Sequence, residues 1–375
     1  PLASGQACFW KVRVWDQRGK ISRWSEPAKW SVGLLHPDDW KAQWISYRDD
    51  VPLHTNRAAL FLPPARHYRK EFAAIKTIKR AMIYVSALGL VDLHLNGQPV
   101  TDSFFESGWA DYQQRAYYRT HDVTGQLQRG ENCLGAVVAD GWYAGYVGYG
   151  LLVGYGPNKV GRYFYGKTPA FLAQLEIEYA DGARETIVTD TSWQVSSDGP
   201  IREADMIMGE AFDAQRIRAD WCSVDGAKDW KWDSAIRAEE NGSTKAVFSD
   251  NRGQREVELG FQRPPKLQAY AAPPIRITDE LKIRRITEPK PGVYIFDLGQ
   301  NLAGVIRLRT QGPAGTKLQI RYGEMLHPDG RLMTENLRKA RATDFYTMAG
   351  DKNGETWTPR FTYHGFQFVE ITGLP

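Results

Sequence analysis

A period-two alternation of apolar and polar residues runs through segment after segment of this chain and limits what it can fold into. In 171–179 the apolar residues fall on one face of a strand, and three polar residues fall on the other. The dipeptide Asp181-Gly182 then supplies the positive φ angles of a tight turn before a second strand at 186–188. The pattern therefore predicts an antiparallel hairpin rather than an amphipathic helix.

Two further hairpins follow from the same alternation. One spans 91–100, where the Asn-Gly dipeptide at 96–97 is the strongest short-range hairpin signal. The other joins 306–309 to 318–322 across a break that contains glycine and proline at 312–315. We expect the two strands of each hairpin to pair with one another.

Helical periodicity is scarce in this sequence. One short helix is predicted around 334–343, where Glu335 favours the first turn. The 46 aromatic residues (13 Trp, 18 Tyr and 15 Phe), together with 35 Gly and 20 Pro, fit many short strands joined by turns. We therefore predict an all-β fold of tandem antiparallel β-sandwich domains, of jelly-roll or fibronectin-like type, with very little helix.

The chain of 375 residues is long enough for two or three domains of roughly 150 residues each. Residues 1–37 have too few strands to close a core and look like the end of a small β domain. We predict a β-sandwich over 38–235, a charged linker or edge segment over 236–262, and a further β unit over 263–375 that opens through proline-rich strings.

Charge and hydropathy exclude two classes of partner. The 48 basic and 44 acidic residues leave a net charge of +4, which is too small and too evenly spread for a nucleic-acid binder. The mean hydropathy is −0.49 and no run of 18 apolar residues occurs, so no membrane partner is expected. We expect a soluble protein, and the sequence leaves open whether it resides in the bacterial cytoplasm or is exported.

No cofactor is expected from the motifs. The three cysteines, Cys8, Cys133 and Cys222, are odd in number and widely spaced, which favours free thiols over a disulfide framework or a zinc site. No phosphate-binding or dinucleotide-binding loop occurs. The string at 351–355 resembles half a calcium loop, but its glycine comes too early, so a plain turn is favoured and calcium has only weak support.

Two aromatic strings have the composition of a sugar-binding site. Pyranose rings stack their apolar faces on aromatic side chains, while their hydroxyl groups bond to carboxylates and amides. The strings at 109–112 and 140–143 mix both types, and a Gly- and Tyr-rich segment at 145–150 continues the second. Packing or domain docking of the same aromatics is the alternative. The predicted carbohydrate-binding residues are Trp109, Asp111, Tyr112, Asp140, Trp142 and Tyr143.

The densest acidic cluster comprises Glu203, Asp205, Glu210 and Asp213. If 202–206 forms a strand, Glu203 and Asp205 share one face. Charges in β-rich loops usually form salt bridges or cap turns, so we expect those roles here rather than acid–base catalysis. No catalytic residue is assigned to this chain.

Several sequence strings are too long to be explained by turn-forming residues alone, and they resemble sequences of the bacterial α-L-rhamnosidases. Those at 84–89, 95–97, 108–112, 118–124 and 140–143 resemble the N-terminal β-sandwich of these enzymes. Those at 296–301, 322–326, 335–338 and 359–366 resemble the concanavalin-like domain that follows it. Residues 10–45 are similar to the end of the fibronectin-like domain that precedes both. The order of the strings also agrees, so the resemblance covers nearly the whole chain.

The resemblance implies a fragment without the catalytic domain. In family 78 of the glycoside hydrolases, the catalytic acid and base lie in an (α/α)6 barrel that comes after these β domains. That barrel needs about a dozen amphipathic helices, and this sequence contains no pattern for them. The implied partners are the downstream helical barrel and, through the complete enzyme, rhamnosylated glycosides.

Three hypotheses about function remain at this point. The first is a non-catalytic accessory region of an α-L-rhamnosidase, whose complete form removes terminal α-L-rhamnose from glycosides with inversion. The second is a freestanding carbohydrate-binding module for rhamnose-containing glycans. The third is a structural spacer that orients or dimerises the barrel.

Overall fold

The computed structural model of the protein describes residues 1–148, 156–250, 253–261 and 263–374. Within these ranges strands dominate, so the predicted all-β fold is confirmed. The helix α1 is a single turn at Gly141–Ala144, and 3-10 turns lie at Pro37–Asp39, Ala214–Arg216, Ala238–Asn241 and Glu335–Leu337. No helix in this part of the chain is both long and apolar enough to cross a bilayer.

The described residues form 27 strands. The first nine are β1 (Ala7–Trp10), β2 (Ala28–Ser31), β3 (Ile45–Ser46), β4 (Arg66–Ala74), β5 (Ile78–Leu88), β6 (Leu90–Leu95), β7 (Gln98–Pro99), β8 (Arg115–Asp122) and β9 (Gly130–Ala139). The next nine are β10 (Gly156–Pro157), β11 (Ala170–Tyr179), β12 (Arg184–Val188), β13 (Gln194–Ser196), β14 (Ile201–Asp205), β15 (Gly209–Asp213), β16 (Asp233–Ser234), β17 (Ile236–Arg237) and β18 (Ser243–Asp250). The last nine are β19 (Gly253–Gly260), β20 (Lys266–Ala269), β21 (Arg285–Lys290), β22 (Val293–Gly304), β23 (Leu308–Thr310), β24 (Lys317–Gly323), β25 (Thr343–Thr347), β26 (Glu355–Trp357) and β27 (His364–Thr372).

Two sheets form the larger sandwich. One has the strand order β17-β3-β11-β5-β8-β20 with β12 added to β11, and the other has the order β16-β13-β4-β9-β6-β7. Alternate side chains of both sheets meet in one buried core, which includes Ile45, Tyr68, Phe171 and Trp193. At one edge β20 pairs with β8 in parallel, so the chain returns from beyond residue 260 to complete this sheet.

Two of the predicted hairpins are confirmed. The strands β6 and β7 pair across the Asn-Gly turn, where Asn96 and Gly97 have φ values of 52° and 79°. Positive φ at both central residues is the geometry that matches the twist of the flanking strands. The strands β11 and β12 pair antiparallel in the same way beyond the turn at 181–182.

The third predicted hairpin is wrong. Strand β23 pairs with β26, whereas β24 pairs with β25 and β27 in a different sheet. The break at 311–316 therefore connects two sheets instead of turning within one. Alternation fixes which side chains face inward but does not name the partner strand, and this is why the sequence misled the prediction.

The predicted helix at 334–343 is also wrong beyond its first turn. A 3-10 turn covers Glu335–Leu337, and Arg338 follows with a φ of 57°. That left-handed conformation cannot continue a right-handed helix. The chain then enters β25 at Thr343.

A second seven-stranded sheet has the order β14-β15-β25-β24-β27-β22-β21. Its core includes Leu318, Ile320, Tyr346 and Phe366. The strands β14 and β15 lie within the predicted range 38–235, yet β15 pairs in parallel with β25. Two strands from the predicted range of the first sandwich therefore belong to the C-terminal sheet.

The remaining segments are smaller. In the N-terminal part, β1 pairs with β2, and its large side chains Phe9, Trp10 and Trp30 are exposed. In 236–262, the range predicted as a linker or edge, β18 pairs with β19 as a hairpin and β10 joins it. All three cysteines are free thiols.

Arg360 joins the two large units. Its Nη2 donates to Asp92 Oδ1 at 2.7 Å and to the carbonyl oxygen of Ser103 at 2.6 Å, and its guanidinium lies 4.4 Å from the ring centroid of Phe104. The backbone N–H groups of Arg360 and Phe361 both donate to Glu210 Oε2 at 3.0 Å. This set of contacts fixes the segment before β27 against both sheets.

Glu210 is fully buried in this junction. Burial raises the pKa of its carboxyl group to about 8, although the N–H groups of Phe361 and Arg360 lower the pKa, and nearby Asp344 raises it further. The folded protein therefore binds a proton at Glu210 between the ordinary glutamate pKa of 4.5 and about 8, whereas the unfolded chain does not.

We predict that this proton makes stability fall as the pH rises. In that window the free energy of unfolding loses about 1.4 kcal/mol per pH unit through this group. The variant Glu210→Gln keeps an oxygen for the two N–H groups and carries no charge, so its stability should be nearly equal to wild type near pH 5 and higher at pH 8. Urea unfolding of both proteins across this range measures the difference. Parallel curves for the two proteins would contradict the assignment.

Candidate functional site

An open cleft of about 460 Å³ lies beside β8 and the loop that precedes this strand. Its volume falls within the roughly 300–1,000 Å³ that is typical of small-molecule sites. Aromatic, amide and charged side chains alternate around it, a mixture that suits a polar ring-shaped ligand. The lining residues are Trp109, Ala110, Asp111, Gln114, Arg115, Tyr117 and Tyr165.

Trp109 is the exposed aromatic group of the cleft. Its ring lies parallel to that of Trp142, with an interplanar angle of 4° and centroids 5.8 Å apart. Its Nε1–H points to the hydroxyl oxygen of Tyr165 at 3.4 Å. One face of the indole is thus supported by a second ring, and the side chain is still 51% exposed. A rigid, exposed aromatic surface of this kind suits stacking against the apolar face of a pyranose.

The loop before β8 reaches this position because of a glycine. Gly108 has a φ of 92°, and a Cβ atom there would lie 2.8 Å from the ring of Tyr270. Only glycine combines that backbone angle with such close approach. Tyr270 follows β20, so the sheet edge and the loop that carries Trp109 hold each other in place.

Asp111 is exposed at the rim of the cleft. Its Oδ2 accepts from Gln114 Nε2 at 2.6 Å, and its Oδ1 accepts from the N–H of Gln113 at 3.2 Å. The backbone N–H groups of Gln114 and Arg115 donate to its carbonyl oxygen, so the residue also begins the turn into β8. The carboxylate retains acceptor capacity toward solvent, where sugar hydroxyls would approach.

Tyr112 and Tyr143 are buried packing residues. Their rings meet edge to face with centroids 5.4 Å apart, and the Tyr112 hydroxyl donates to the carbonyl oxygen of Gly108 at 3.0 Å. Burial raises the pKa of both phenols, so both stay neutral. Neither tyrosine lines the cleft among its described residues. Their placement matches the packing alternative that the sequence left open.

Asp140 lies in the interior and pairs with the buried Arg162. Burial raises the pKa of its carboxyl group, while the Arg162 guanidinium opposes the rise. The same arginine donates through Nε to the carbonyl oxygen of Ala144 at 3.1 Å. Asp140 therefore holds the start of α1, which carries Trp142, and does not face the cleft.

The six predicted residues thus separate into three groups. Trp109 and Asp111 line the cleft, Trp142 supports Trp109 from behind, and the other three are buried nearby. The Gly- and Tyr-rich string at 145–150 is described only as far as 148, and its last two residues lie outside the described part of the chain. Sequence reasoning missed the lining residues Gln114, Arg115, Tyr117 and Tyr165. The signal available in the sequence was that Arg115 and Tyr117 lie two residues apart on a strand, so their side chains share a face.

The acidic cluster has structural roles, as predicted. Glu203 forms an ion pair with Arg341 at 2.7 Å. The Asp205 carboxylate is buried and accepts three backbone N–H groups, from Tyr146, Ile207 and Met208. Asp213 accepts the N–H of Gln215, which follows it in a 3-10 turn.

The string at 351–355 is a turn. Gly354 donates its N–H to the carbonyl oxygen of Asp351 at 3.0 Å, and Asp351 Oδ1 accepts from the N–H of Asn353. The Glu355 carboxylate accepts three backbone N–H groups and the Tyr346 hydroxyl. Across the described ranges, no three His, Cys, Asp or Glu side chains are grouped as metal ligands would be. The residues of this turn do not fit a calcium site.

Three family models match consecutive parts of the chain. Residues 1–36 match the Rha78A-like N-terminal immunoglobulin domain, residues 76–279 match the alpha-L-rhamnosidase N-terminal domain, and residues 287–375 match the bacterial alpha-L-rhamnosidase concanavalin-like domain. The chain belongs to the α-L-rhamnosidase family.

Curated rhamnosidases confirm this relationship. An α-L-rhamnosidase of Streptomyces avermitilis is 43% identical over 320 residues, which are 85% of this chain and 28% of the relative. One from Formosa agariphila is 33% identical over the whole chain and 37% of its own length. The chain thus spans about a third of the length of these rhamnosidases.

Solved rhamnosidase structures share the fold. The Streptomyces avermitilis enzyme complexed with L-rhamnose superposes with a TM-score of 0.84 at 30% identity, over all of this chain and 49% of that one. The native enzyme from Aspergillus terreus gives a TM-score of 0.82 at 31% identity, over all of this chain and 39% of that one.

Asp140 and Asp111 should respond differently when each is replaced by asparagine. Asp140→Asn leaves the Arg162 guanidinium buried without its counter-charge, so we expect a loss of about 3–5 kcal/mol in the free energy of unfolding. Asp111→Asn keeps the turn and should leave the unfolding midpoint unchanged. Urea unfolding of the two variants makes the comparison. Equal stability of both would show that the Asp140 ion pair does not hold the fold.

Proposed function

We propose that this chain is the non-catalytic N-terminal portion of an α-L-rhamnosidase, whose complete form hydrolyses terminal α-L-rhamnose from glycosides with inversion. The observation that carries the proposal is the ordered match of three rhamnosidase domain models, all of them β domains, along the chain. The partner that we propose for these domains is the helical barrel that follows them in the complete enzyme.

The carboxylates support a non-catalytic role. Inverting hydrolysis needs two carboxyl groups roughly 6.5–9.5 Å apart that face the same glycosidic bond. The described lining of the open cleft includes one carboxylate, Asp111. Asp205 and Glu210 are buried and accept backbone N–H groups. A general acid must reach the leaving oxygen of a substrate, and these two side chains face the protein interior.

The complete gene product gives the direct test of the parent activity. We expect it to hydrolyse an aryl α-L-rhamnoside and to release β-L-rhamnose first, as seen by proton NMR before the anomers equilibrate. An aryl β-D-glucoside of the same leaving group is the matched control and should remain intact. Release of α-L-rhamnose first would refute inversion, and absence of any hydrolysis would refute the enzyme class.

A second proposed role, carbohydrate binding by the β domains themselves, is favoured by one observation. Trp109 presents an exposed indole, held parallel to Trp142, beside the free side of the Asp111 carboxylate. This combination offers one apolar face and one hydrogen-bond acceptor to a pyranose. Rhamnose carries a methyl group in place of a hydroxymethyl group, which makes its ring edge more apolar than that of most hexoses.

We expect titration calorimetry to detect binding of L-rhamnose, and the variant Trp109→Ala to weaken it about fivefold, the loss of one aromatic stack. Trp10→Ala is the matched control, because Trp10 is also exposed but lies in β1, outside the cleft. Titrations with and without calcium test whether the ion contributes. Absence of heat at millimolar sugar would leave only a scaffolding role.

A further inference from the structure

The cleft contains a positively charged side chain, Arg115, that forms no ion pair within the described residues. Arg115 lines the cleft, and its Nη1 donates to Gln268 Oε1 at 3.4 Å. It forms no ion pair with any carboxylate in the described ranges of the chain. A guanidinium offers five N–H donors in a planar fork, and most of this capacity remains open.

A second cation stands next to it. Lys266 lies opposite Arg115 in the parallel pairing of β20 with β8. Leu267 packs against the cluster that contains Ala116, whereas Lys266 and Gln268 are exposed and share the face of Arg115. Lys266 also has no carboxylate partner among the described residues.

The positive charge continues along the strand. Residues two apart on a strand share a face, so Arg115, Tyr117 and Arg119 all lie on one side of β8, opposite to Ala116 and Tyr118. Arg119 lies 3.8 Å from the ring centroid of Tyr270 and donates to the carbonyl oxygen of Ala272. This face of β8 thus alternates cations with an aromatic ring, and the exposed Trp109 lies at one end of the cleft.

The one anion of the lining does not neutralise this surface. The Asp111 carboxylate is held by Gln114 and by the N–H of Gln113, and it forms no ion pair with Arg115 four residues later. It is therefore placed to accept hydroxyl groups at the rim, while the guanidinium remains available farther along the cleft.

We propose that this cleft binds an acidic glycan, with a neutral sugar ring stacked on Trp109 and the carboxylate of an adjoining uronic acid paired with Arg115. The inference rests on the proposed sugar-binding role of the cleft and adds the chemical class of its ligand. A uronate carboxylate accepts two parallel, charge-assisted hydrogen bonds from the guanidinium fork, whereas the hydroxyl groups of a neutral hexose accept without the charge. Lys266 adds longer-range attraction that salt screens.

The test compares two ligands that differ only in charge. One is a tetrasaccharide of alternating rhamnose and galacturonic acid, and the other is the same tetrasaccharide with its carboxyl groups reduced to alcohols. In titration calorimetry with the 375-residue chain, we expect the acidic form to bind about tenfold tighter, the worth of one charged hydrogen-bonded pair. The preference should shrink as the ionic strength rises.

Charge-matched variants locate the effect. Arg115→Gln should abolish the preference for the acidic form without moving the thermal unfolding midpoint, because its side chain contacts only an exposed glutamine. Arg18→Gln removes the same charge from an exposed turn in the N-terminal part and should leave the preference intact. Lys266→Gln should reduce the preference and is the second variant if the first does not fold.

Equal affinity of wild-type protein for both tetrasaccharides would overturn the uronate assignment while leaving neutral sugar binding in place. An equal loss of the preference for the acidic tetrasaccharide in the Arg115 and Arg18 variants would also overturn it. That result would show that the overall positive charge of the protein, and not a specific site, attracts the ligand. Binding of neither tetrasaccharide would refute the cleft as a sugar site altogether. Hydrolysis by the complete enzyme is measured separately, so none of these results bears on the proposed parent activity.

Discussion

Buried carboxylates that accept backbone N–H groups hold the loops of this structure in place. Asp205, Glu210 and Glu355 each satisfy two or three such donors. Asp205 and Glu210 lie in β14 and β15 of the C-terminal sheet, and Glu355 begins β26 in the small sheet that β26 forms with β23. Buried N–H groups that lack an acceptor destabilise a fold. Moving one of these carboxyl groups away from its N–H donors would therefore destabilise the structure.

The proposed ligand cleft lies at the sheet edge formed by β8 and β20. Inward residues of each strand pack in a core, and polar or aromatic residues between them remain outside. At the β8–β20 edge one face of β8 carries Arg115 and Tyr117, and the preceding loop adds Trp109 and Asp111. Trp142 and Tyr165 support Trp109, so the aromatic side of the cleft is preformed, which would lower the entropic cost of the sugar binding that we propose.

The sequence predicted turns and strand alternation better than it predicted which strands pair with one another. The Asn-Gly turn at 96–97 and the alternation in 171–179 specify hairpins through backbone geometry alone, and both are present. The pairing of β23 with β26 depends on which sheet each strand joins, and no local signal encodes it. For the same reason composition identified Trp109 and Trp142 but could not show that they stack. It also could not show that Asp140 is buried with Arg162.

We propose that the acid–base machinery of rhamnoside hydrolysis lies outside these β domains. The most direct test is a turnover assay on the purified 375-residue chain with an aryl α-L-rhamnoside, run beside the complete enzyme at equal molar concentration. The account predicts release of the aryl group by the complete enzyme and none above background by the chain alone. Turnover by the chain that persists through purification, and that is lost when an Asp or Glu of the chain is replaced, would contradict it.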